Sequence, residues 1–514
     1  MKQINKTDLA YYFLFLLFFV ASCGKKDAEL PETAPVISGL DPQYYLIVRD
    51  ELVLSPQIEN RVDSVVWVLD GKRVANAPQY TFKAPTNPGT FNIVVMAYNR
   101  GNVVQQIITI TTGRFINVST TPNTILQLEP SLKFADRNDV KWEVLSAPSE
   151  LYRLTDANTK TPLFISADKG NYQIKLSSGN IADTVIVTVQ QDLVTRTPYI
   201  TNVFDFLPAP GQFVNELPRY TEGDTRENMI EKAAASLRGE NASMVSLGGW
   251  GGYVVFGFDH TIVNVEGRLD FRILGNAFGA ASNPNPDAPF GGSCEPGIVM
   301  VAYDKNKNGK PDDDEWYEIK GSANFSAENE AWYNAAVAKG NDVRTFRNYE
   351  MTYQKPAYET PEQAGEPDNP GSFVTITNYI RWTDNQGQNG YKVKNVYHNQ
   401  SYYPAWIKED KITYKGIRLA QNGIDESGAG SYYVLYGFRY GYVDNYPNTH
   451  NNAGIDIDWA IDKNGNKVSL PGIDFIKVYN GVDQENGWLG EASTEVGRGE
   501  DLHLLKIKIP TINN

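Results

Sequence analysis

Val65-Val66-Trp67-Val68-Leu69 is a run of β-branched and aromatic residues that stops at Asp70-Gly71. Residues of this type favour a pleated strand, and Asp-Gly is a two-residue hairpin signal because both positions tolerate positive φ. Working outward, Tyr80-Thr81-Phe82 gives a second strand. Pro88-Gly89 then gives a turn, and Phe91-Asn92-Ile93-Val94-Val95-Met96-Ala97-Tyr98 a long third strand. Short strands at regular spacing with turn residues between them predict a sandwich. A second set repeats the pattern: Val140-Lys141-Trp142-Glu143-Val144, Gly170-Asn171-Tyr172-Gln173-Ile174-Lys175-Leu176 and Thr184 to Val189.

The first set resembles a PKD-type immunoglobulin-like sandwich, in which a Trp on a central strand precedes an Asp-Gly turn. The chain therefore divides into a first such domain over 35–113, a second over 114–193, and a large domain over 194–514. The two sandwiches in series read as a stalk. The large domain alternates strand runs (Tyr253 to Phe258, Leu269 to Leu274, Ile298 to Tyr303, Phe373 to Ile380, Tyr432 to Phe438, Ile473 to Tyr479, Leu502 to Ile509) with long loops. That is a mainly β chain ending in an antiparallel, jelly-roll-like domain. One helix is expected after Thr225, with Met229, Ile230, Ala233, Ala234 and Leu237 as its apolar stripe and Gly239 as its stop.

The N-terminus sets the expected compartment. Lys2 and Lys6 precede the apolar run Tyr11 to Val20, which is shorter than the ~20 residues a membrane-spanning helix needs. Val20-Ala21-Ser22-Cys23 resembles a lipobox, so residues 1–22 are expected to be a signal peptide and Cys23 the lipidated residue. Residues 23–34 form a polar tether. The charged Gly-Lys-Lys-Asp-Ala-Glu after Cys23 resembles a surface-export tag of Bacteroidetes lipoproteins, implying an outer-membrane anchor and a position facing the cell exterior. With Cys23 acylated, Cys294 alone is left, so no intrachain disulfide is expected. A net charge of −14 argues against nucleic-acid binding.

The sharpest candidate for metal chemistry is Asp304-Lys305-Asn306-Lys307-Asn308-Gly309-Lys310-Pro311-Asp312-Asp313-Asp314-Glu315. Asp304, Asn306, Asn308, the Lys310 carbonyl, Asp312 and Glu315 supply oxygens at the spacing of a calcium loop, with strands where an EF-hand has helices. The alternative is a solvated acidic hairpin tip. A second acidic set is Asp456 and Asp458 on one strand face, with Glu491 and Glu495 placed to pair with that strand or with Glu295, and it reads first as surface carboxylates making hydrogen bonds. Asn464-Gly465 reads as a turn. The four His make no ligand pattern, no Gly-x-Ser-x-Gly elbow is present, and Cys294 reads as a buried thiol. No catalytic residue is assigned.

With 30 Tyr, 22 Phe and 9 Trp, the chain has aromatics to spare for a surface that stacks on flat ligands. On composition, the loop aromatics Trp382, Tyr391, Tyr397, Tyr402, Tyr403, Trp406, Tyr440, Tyr446 and Trp488 are the candidate ligand contacts.

Several stretches of the large domain resemble a Bacteroidetes cell-surface lipoprotein family. They are Pro208 to Asn215, Ser246 to His260, Gly275-Asn276-Ala277-Phe278, Cys294-Glu295-Pro296-Gly297, Gly441 to Asn445, Gly472 to Tyr479 and Gly487-Trp488-Leu489-Gly490-Glu491. Members with two immunoglobulin-like domains look like the surface proteins that capture cobalamin beside a TonB-dependent transporter. The resemblance implies a monomeric, non-enzymatic protein that binds vitamin B12 or a related corrinoid and hands it on. Glycan capture is the alternative binding function, and a glycoside hydrolase or lyase the alternative of a different class.

Overall fold

The computed structural model describes residues 33–512 except 114, 131–133, 135, 136, 180 and 365–371. The expected signal peptide, Cys23 and nearly all of the expected tether lie outside the described residues. The chain is mainly β, with immunoglobulin-like sandwiches and many antiparallel sheets. It separates into two compact units, Met1–Arg114 and Phe115–Asn514.

In the first unit, Ser64–Leu69 is a central strand of a five-stranded sheet. It pairs on one side with Gly89–Asn99 and on the other with Lys72–Asn76. Asp70 and Gly71 both take positive φ (46° and 80°), the hairpin geometry their sequence calls for. Alternation turns Val65 and Trp67 inward, where they meet Phe82, Ile93, Val95, Ile108 and Ile110. The Trp67 indole donates to the Ala77 carbonyl at 2.9 Å, so its one polar atom is satisfied inside the core.

The second unit begins with the second sandwich. One sheet holds Phe115–Thr120, Ile181–Val189, Gly170–Ser178 and Lys141–Ser146, and the other Leu126–Gln127, Leu163–Ser166 and Tyr152–Thr155. Trp142, Phe164, Tyr172 and Leu176 fill the space between them. This sandwich is built into the domain that follows it. Arg153 grips Asp458 with two hydrogen bonds (3.1 and 2.6 Å), and Asn123 Nδ2 donates to the Thr261 carbonyl at 3.0 Å. Ile165, Val263 and Val265 form a small apolar cluster between the two parts. The two sandwiches are therefore not equivalent spacers, because the second shares a compact unit with residues 194–514.

In the large domain a seven-stranded sheet centres on Tyr253–Val263, Gly472–Asn480 and Gly297–Ala302. A four-stranded sheet of Asn389–Asn395, Val374–Asp384, Phe346–Gln354 and Lys411–Arg418 supplies Tyr349, Met351, Tyr353 and Tyr414 to the same core as Trp250, Val254, Phe256 and Val478. The expected helix spans Arg226–Leu237. Thr225 caps it in a reciprocal box with Asn228, and Met229, Ala233, Ala234 and Leu237 are buried.

Two expected strands are absent. Leu502 to Ile509 is a turn, because Asp501 Oδ1 accepts from the His503 and Leu504 amides (2.7 and 3.1 Å) and Lys506 sits at φ 58°. Asp456 and Asp458 are not on a strand face. Asp456 caps a 3-10 turn at Ile457–Trp459 and accepts from the Asp458 amide at 2.7 Å. The turn at Asn464-Gly465 forms as expected, with Asp462 Oδ1 holding the Asn464 and Asn466 amides.

Candidate functional site

Loops at one end of the large domain enclose a cleft of ≈ 630 Å³. One wall is a small four-stranded sheet in the order Phe278–Gly279, Gly291–Ser293, Tyr433–Tyr436 and Gly423–Asp425. Its close approach depends on glycine. A Cβ at Gly292 would strike the Phe278 carbonyl, and one at Gly291 the Tyr436 ring. The second wall is a turn closed by a bridge between Glu485 and Glu491, in which a 3-10 segment at Gly487–Leu489 lifts Trp488 outward. Gly487 and Gly490 make this turn possible at φ 59° and 88°. The third comes from the segment after Asn389–Asn395. The Asn395 side chain accepts from the Tyr397 and His398 amides (3.0 and 3.2 Å) and donates to Gln212 Oε1 at 2.6 Å.

Six aromatic residues border the cleft: Phe213, Phe278, Tyr397, Tyr432, Tyr433 and Trp488. Phe278 (61% exposed), Tyr397 (59%) and Trp488 (41%) stand out from the surface, a large apolar exposure for adjacent loops. Tyr397 is stacked on Phe373 at 5.8 Å, and Phe213 meets His398 edge-on at 4.6 Å. The His398 ring is held below its ordinary pKa by burial.

The floor is acidic. Glu295, Glu491 and Glu495 line it. Glu295, Glu495 and the buried Asp444 bring carboxylate oxygens within 4.8 Å of one another. Asp444 is fixed by backbone amides: Oδ1 accepts from Asn276 and Ala277 (both 2.8 Å) and Oδ2 from Glu495 (3.0 Å). Glu295 accepts from the Ser493 amide at 2.9 Å and the Ser293 hydroxyl at 3.0 Å. Glu491 accepts from the Gln212 amide at 2.6 Å. Burial pushes the Glu295 carboxyl up to about 7. Burial, with the Glu485 charge behind it, pushes Glu491 up to about 8. Asp444 and Glu495 are raised well above their ordinary values by burial and by the Glu295 charge. Cys294 is buried between these groups, and desolvation raises its thiol, so it is protonated and unreactive. Of the carboxylates read from sequence as surface groups, Glu491 and Glu495 are thus drawn into a floor with Glu295, while Asp456 and Asp458 lie elsewhere.

Of the nine aromatics expected to contact a ligand, Tyr397 and Trp488 line the cleft. Tyr402, Tyr403, Trp406 and Tyr440 are buried in the hydrophobic core. The Ser401 to Trp406 segment looks like a loop but is buried, because Asn215 satisfies its backbone by donating to the Ser401 and Tyr403 carbonyls (2.6 and 2.9 Å) and accepting from the Ala405 amide (3.0 Å). Trp382 packs against the same core, Tyr446 is stacked against both Phe290 and His450, and Tyr391 is exposed on a strand and does not line the cleft. Composition did not single out Phe213, Phe278, Tyr432, Tyr433 or the three floor glutamates as a site. A signal was present all the same. Gln212, Phe213, Asn276, Phe278, Glu295, Trp488, Leu489 and Glu491 all fall in the stretches that carry the family resemblance, and the fold brings them to one cleft.

The Asp304 to Glu315 loop joins Gly297–Ala302 to Trp316–Ile319, between strands as expected. Asp304 accepts from the Asn308 and Gly309 amides (3.0 and 2.7 Å), and Asn306 and Asn308 both donate to Asp312 Oδ2 (2.6 and 2.7 Å). Glu315 is buried and accepts from the Lys305 and Asp312 amides (2.8 and 3.3 Å), while the Lys310 amide donates to Asn308 Oδ1 at 2.8 Å. The loop is thus held by its own side chains, whose oxygens accept from its backbone amides.

No family model matches the chain, and no curated protein matches it. Among solved structures, a titin I-band fragment, I67-I69, is 14% identical over 31% of this chain, with a TM-score of 0.15. This chain spans 65% of that fragment's length. The fibronectin(III)-like modules of Clostridium thermocellum CbhA are 15% identical over 30% of this chain and 94% of theirs, with a TM-score of 0.16.

Proposed function

We propose that this chain is a lipid-anchored outer-membrane protein facing the cell exterior, which captures cobalamin or a related corrinoid in the cleft and passes it to a TonB-dependent transporter. The observation that carries the reading is the cleft itself. Separate loops converge there to set six aromatic rings around a polar floor, and three of the rings, Phe213, Phe278 and Trp488, fall in the stretches that carry the resemblance. Its ≈ 630 Å³ lies within the ~300–1,000 Å³ usual for small-molecule sites. A corrinoid is larger, so it would lie with one edge in the cleft and its faces against Phe278, Tyr397 and Trp488. Calcium in the Asp304 to Glu315 loop would brace the neighbouring strands without touching the ligand. The test is direct. The purified chain is mixed with cyanocobalamin and desalted, and the protein peak is read in the visible. A red protein peak is expected, and a colourless one at micromolar protein overturns the reading.

Glycan binding or cleavage is the second reading, and one observation favours it. Glu295 and Glu491 share a cleft with aromatic walls, and their carboxyls are pushed up to about 7 and about 8, the range of a general acid. Release of reducing ends from a polysaccharide panel, lost in Glu295→Gln, would establish it in place of the corrinoid reading.

A further inference from the structure

Strand Asn389–Asn395 turns Lys392 and Lys394 to the same side, and both are buried. Lys394 donates to the Glu359 carbonyl at 2.7 Å, so its ammonium rests on a neutral acceptor. Lys392 is placed differently. Its Nζ donates to Asp483 Oδ1 at 3.1 Å and lies 3.2 Å from Glu485 Oε1. The Lys392 side chain is 3% exposed, while the two carboxylates keep some access to solvent. A Cβ at Gly249 would come 3.1 Å from Lys392 Cε and 3.3 Å from the hydroxyl of the buried Tyr353, so the stem crosses the core beside that ring. A primary amine held out of water against a carboxylate makes an ion pair. It is also the starting geometry of an amide condensation, with the two reactants already brought together by the fold.

We propose that Lys392 and Asp483 condense to an intrachain isopeptide bond, with Glu485 as the proton carrier. The new bond joins Nζ to Asp483 Cγ, and one Cγ–O bond breaks. Of the three ammonium protons, two leave with that oxygen as water and one stays on the amide nitrogen. Charge balances, because one cation and one anion become a neutral amide. Burial opposes the charge on Lys392, but the Glu485 and Asp483 carboxylates outweigh it and hold the amine protonated. The amine must therefore release a proton before it attacks. Glu485 is in contact with it, and burial raises the Glu485 carboxyl, which suits a group that takes the proton and returns it to the departing oxygen. Two charges leave the interior in the product, and the cost of holding them there favours the step. The bond ties the four-stranded sheet to the segment between Gly472–Asn480 and the Glu485 to Glu491 turn that carries Trp488. Like a disulfide, a cross-link between distant positions restricts the unfolded chain, and Cys294, a free thiol, supplies no such link. The inference is independent of which ligand the cleft takes.

The test is mass spectrometry of the purified full chain after digestion with trypsin. Trypsin does not cut after a lysine whose amine is acylated. Residues 382–394 should therefore be recovered joined to 478–498, lighter by one water than the two peptides together. Separate peptides, with cleavage after Lys392, overturn the proposal, and so does a join that does not run from Lys392 to Asp483. Lys392→Arg keeps the charge but cannot form this bond, so its two peptides should be separate; a joined pair in that variant also overturns the assignment. Glu485→Gln removes the proton carrier and should leave most of the chain unjoined, whereas complete joining overturns the role given to Glu485. Thermal melting shows whether each variant is folded, and the unmodified chain decides the existence of the bond whether or not they are.

Discussion

His260 Nε2 lies 2.8 Å from Asp501 Oδ2, and the other ring nitrogen, Nδ1, lies 2.7 Å from Asp259 Oδ1. Both imidazole nitrogens thus face carboxylates, an arrangement that suits the doubly protonated ring. A second buried pair sits beside it, with His503 Nε2 at 2.9 Å from Asp270 Oδ1. Burial opposes the charge on each ring, but the Asp501 and Asp270 carboxylates outweigh it and raise both histidines above 6.5. A group whose folded pKa is raised stabilises fully below its unfolded value and loses that contribution as pH climbs through the folded value. The melting temperature should therefore fall as pH rises above about 6.5. His260→Asn should flatten that fall, and an unchanged slope in the variant would show that the pair does not carry it. In sequence the four histidines looked isolated, since nothing local shows that the strand carrying His260 meets Asp501.

The raised carboxyls of the cleft floor act in the same direction. Glu491 holds its proton up to about 8 in the folded protein, against about 4.3 in an unfolded chain. Ionising it in place costs folding energy that accrues between those two values. Glu491→Gln keeps the acceptor for the Gln212 amide and removes the charge. The variant should match the parent at pH 4 and exceed it by a few kcal/mol at pH 9, measured by urea denaturation at both pH values. A variant less stable than the parent at pH 9 would mean that the carboxylate is compensated in the folded state.

In the Asp304 to Glu315 loop the glycine at the sharp turn was legible from residues alone, because such a turn is a local pattern. Gly309 does adopt φ 73°. Saturating calcium should raise the melting temperature, with a stabilisation of about 2.7 kcal/mol once the ion is a hundred-fold above its Kd. Asp304→Ala should abolish the rise, since it removes both oxygens that organise the Asn308 and Gly309 amides. A melting curve indifferent to calcium and to a chelator would leave an acidic hairpin tip.

The aromatics divide by what surrounds them, which is why composition sorted them poorly. Trp488→Ala should weaken corrinoid binding roughly ten-fold, about 1.4 kcal/mol, and leave the melting temperature nearly unchanged because the ring is on the rim. Trp406→Ala should do the reverse. Its ring packs with Phe206 at 6.2 Å and Tyr220 at 6.3 Å, and truncating a buried Trp costs about 3–5 kcal/mol. Periodicity finds strands and their inward faces, as it did around Trp67 and Trp142. It has no purchase on Ser401 to Trp406, where burial is decided by Asn215, nearly two hundred positions away.

Arg153 and Asp458 decide whether the second sandwich and the large domain behave as one body. The pair is largely shielded, with side chains 14% and 15% exposed, and Asn264 Nδ2 adds a third bond to Asp458 at 3.1 Å. Removing one member of such a pair leaves the other charge uncompensated, at a cost of up to about 3–5 kcal/mol when burial is complete. Arg153→Ala should therefore loosen this junction more than it harms either core, since Trp142 and Phe164 keep their own packing. Calorimetry should resolve a new, earlier transition in the variant. The double variant Arg153→Ala/Asp458→Ala should recover part of the loss, because no charge is then stranded. A single cooperative transition unchanged by Arg153→Ala would place the coupling instead in the Ile165, Val263 and Val265 contact and the Asn123 bond to Thr261.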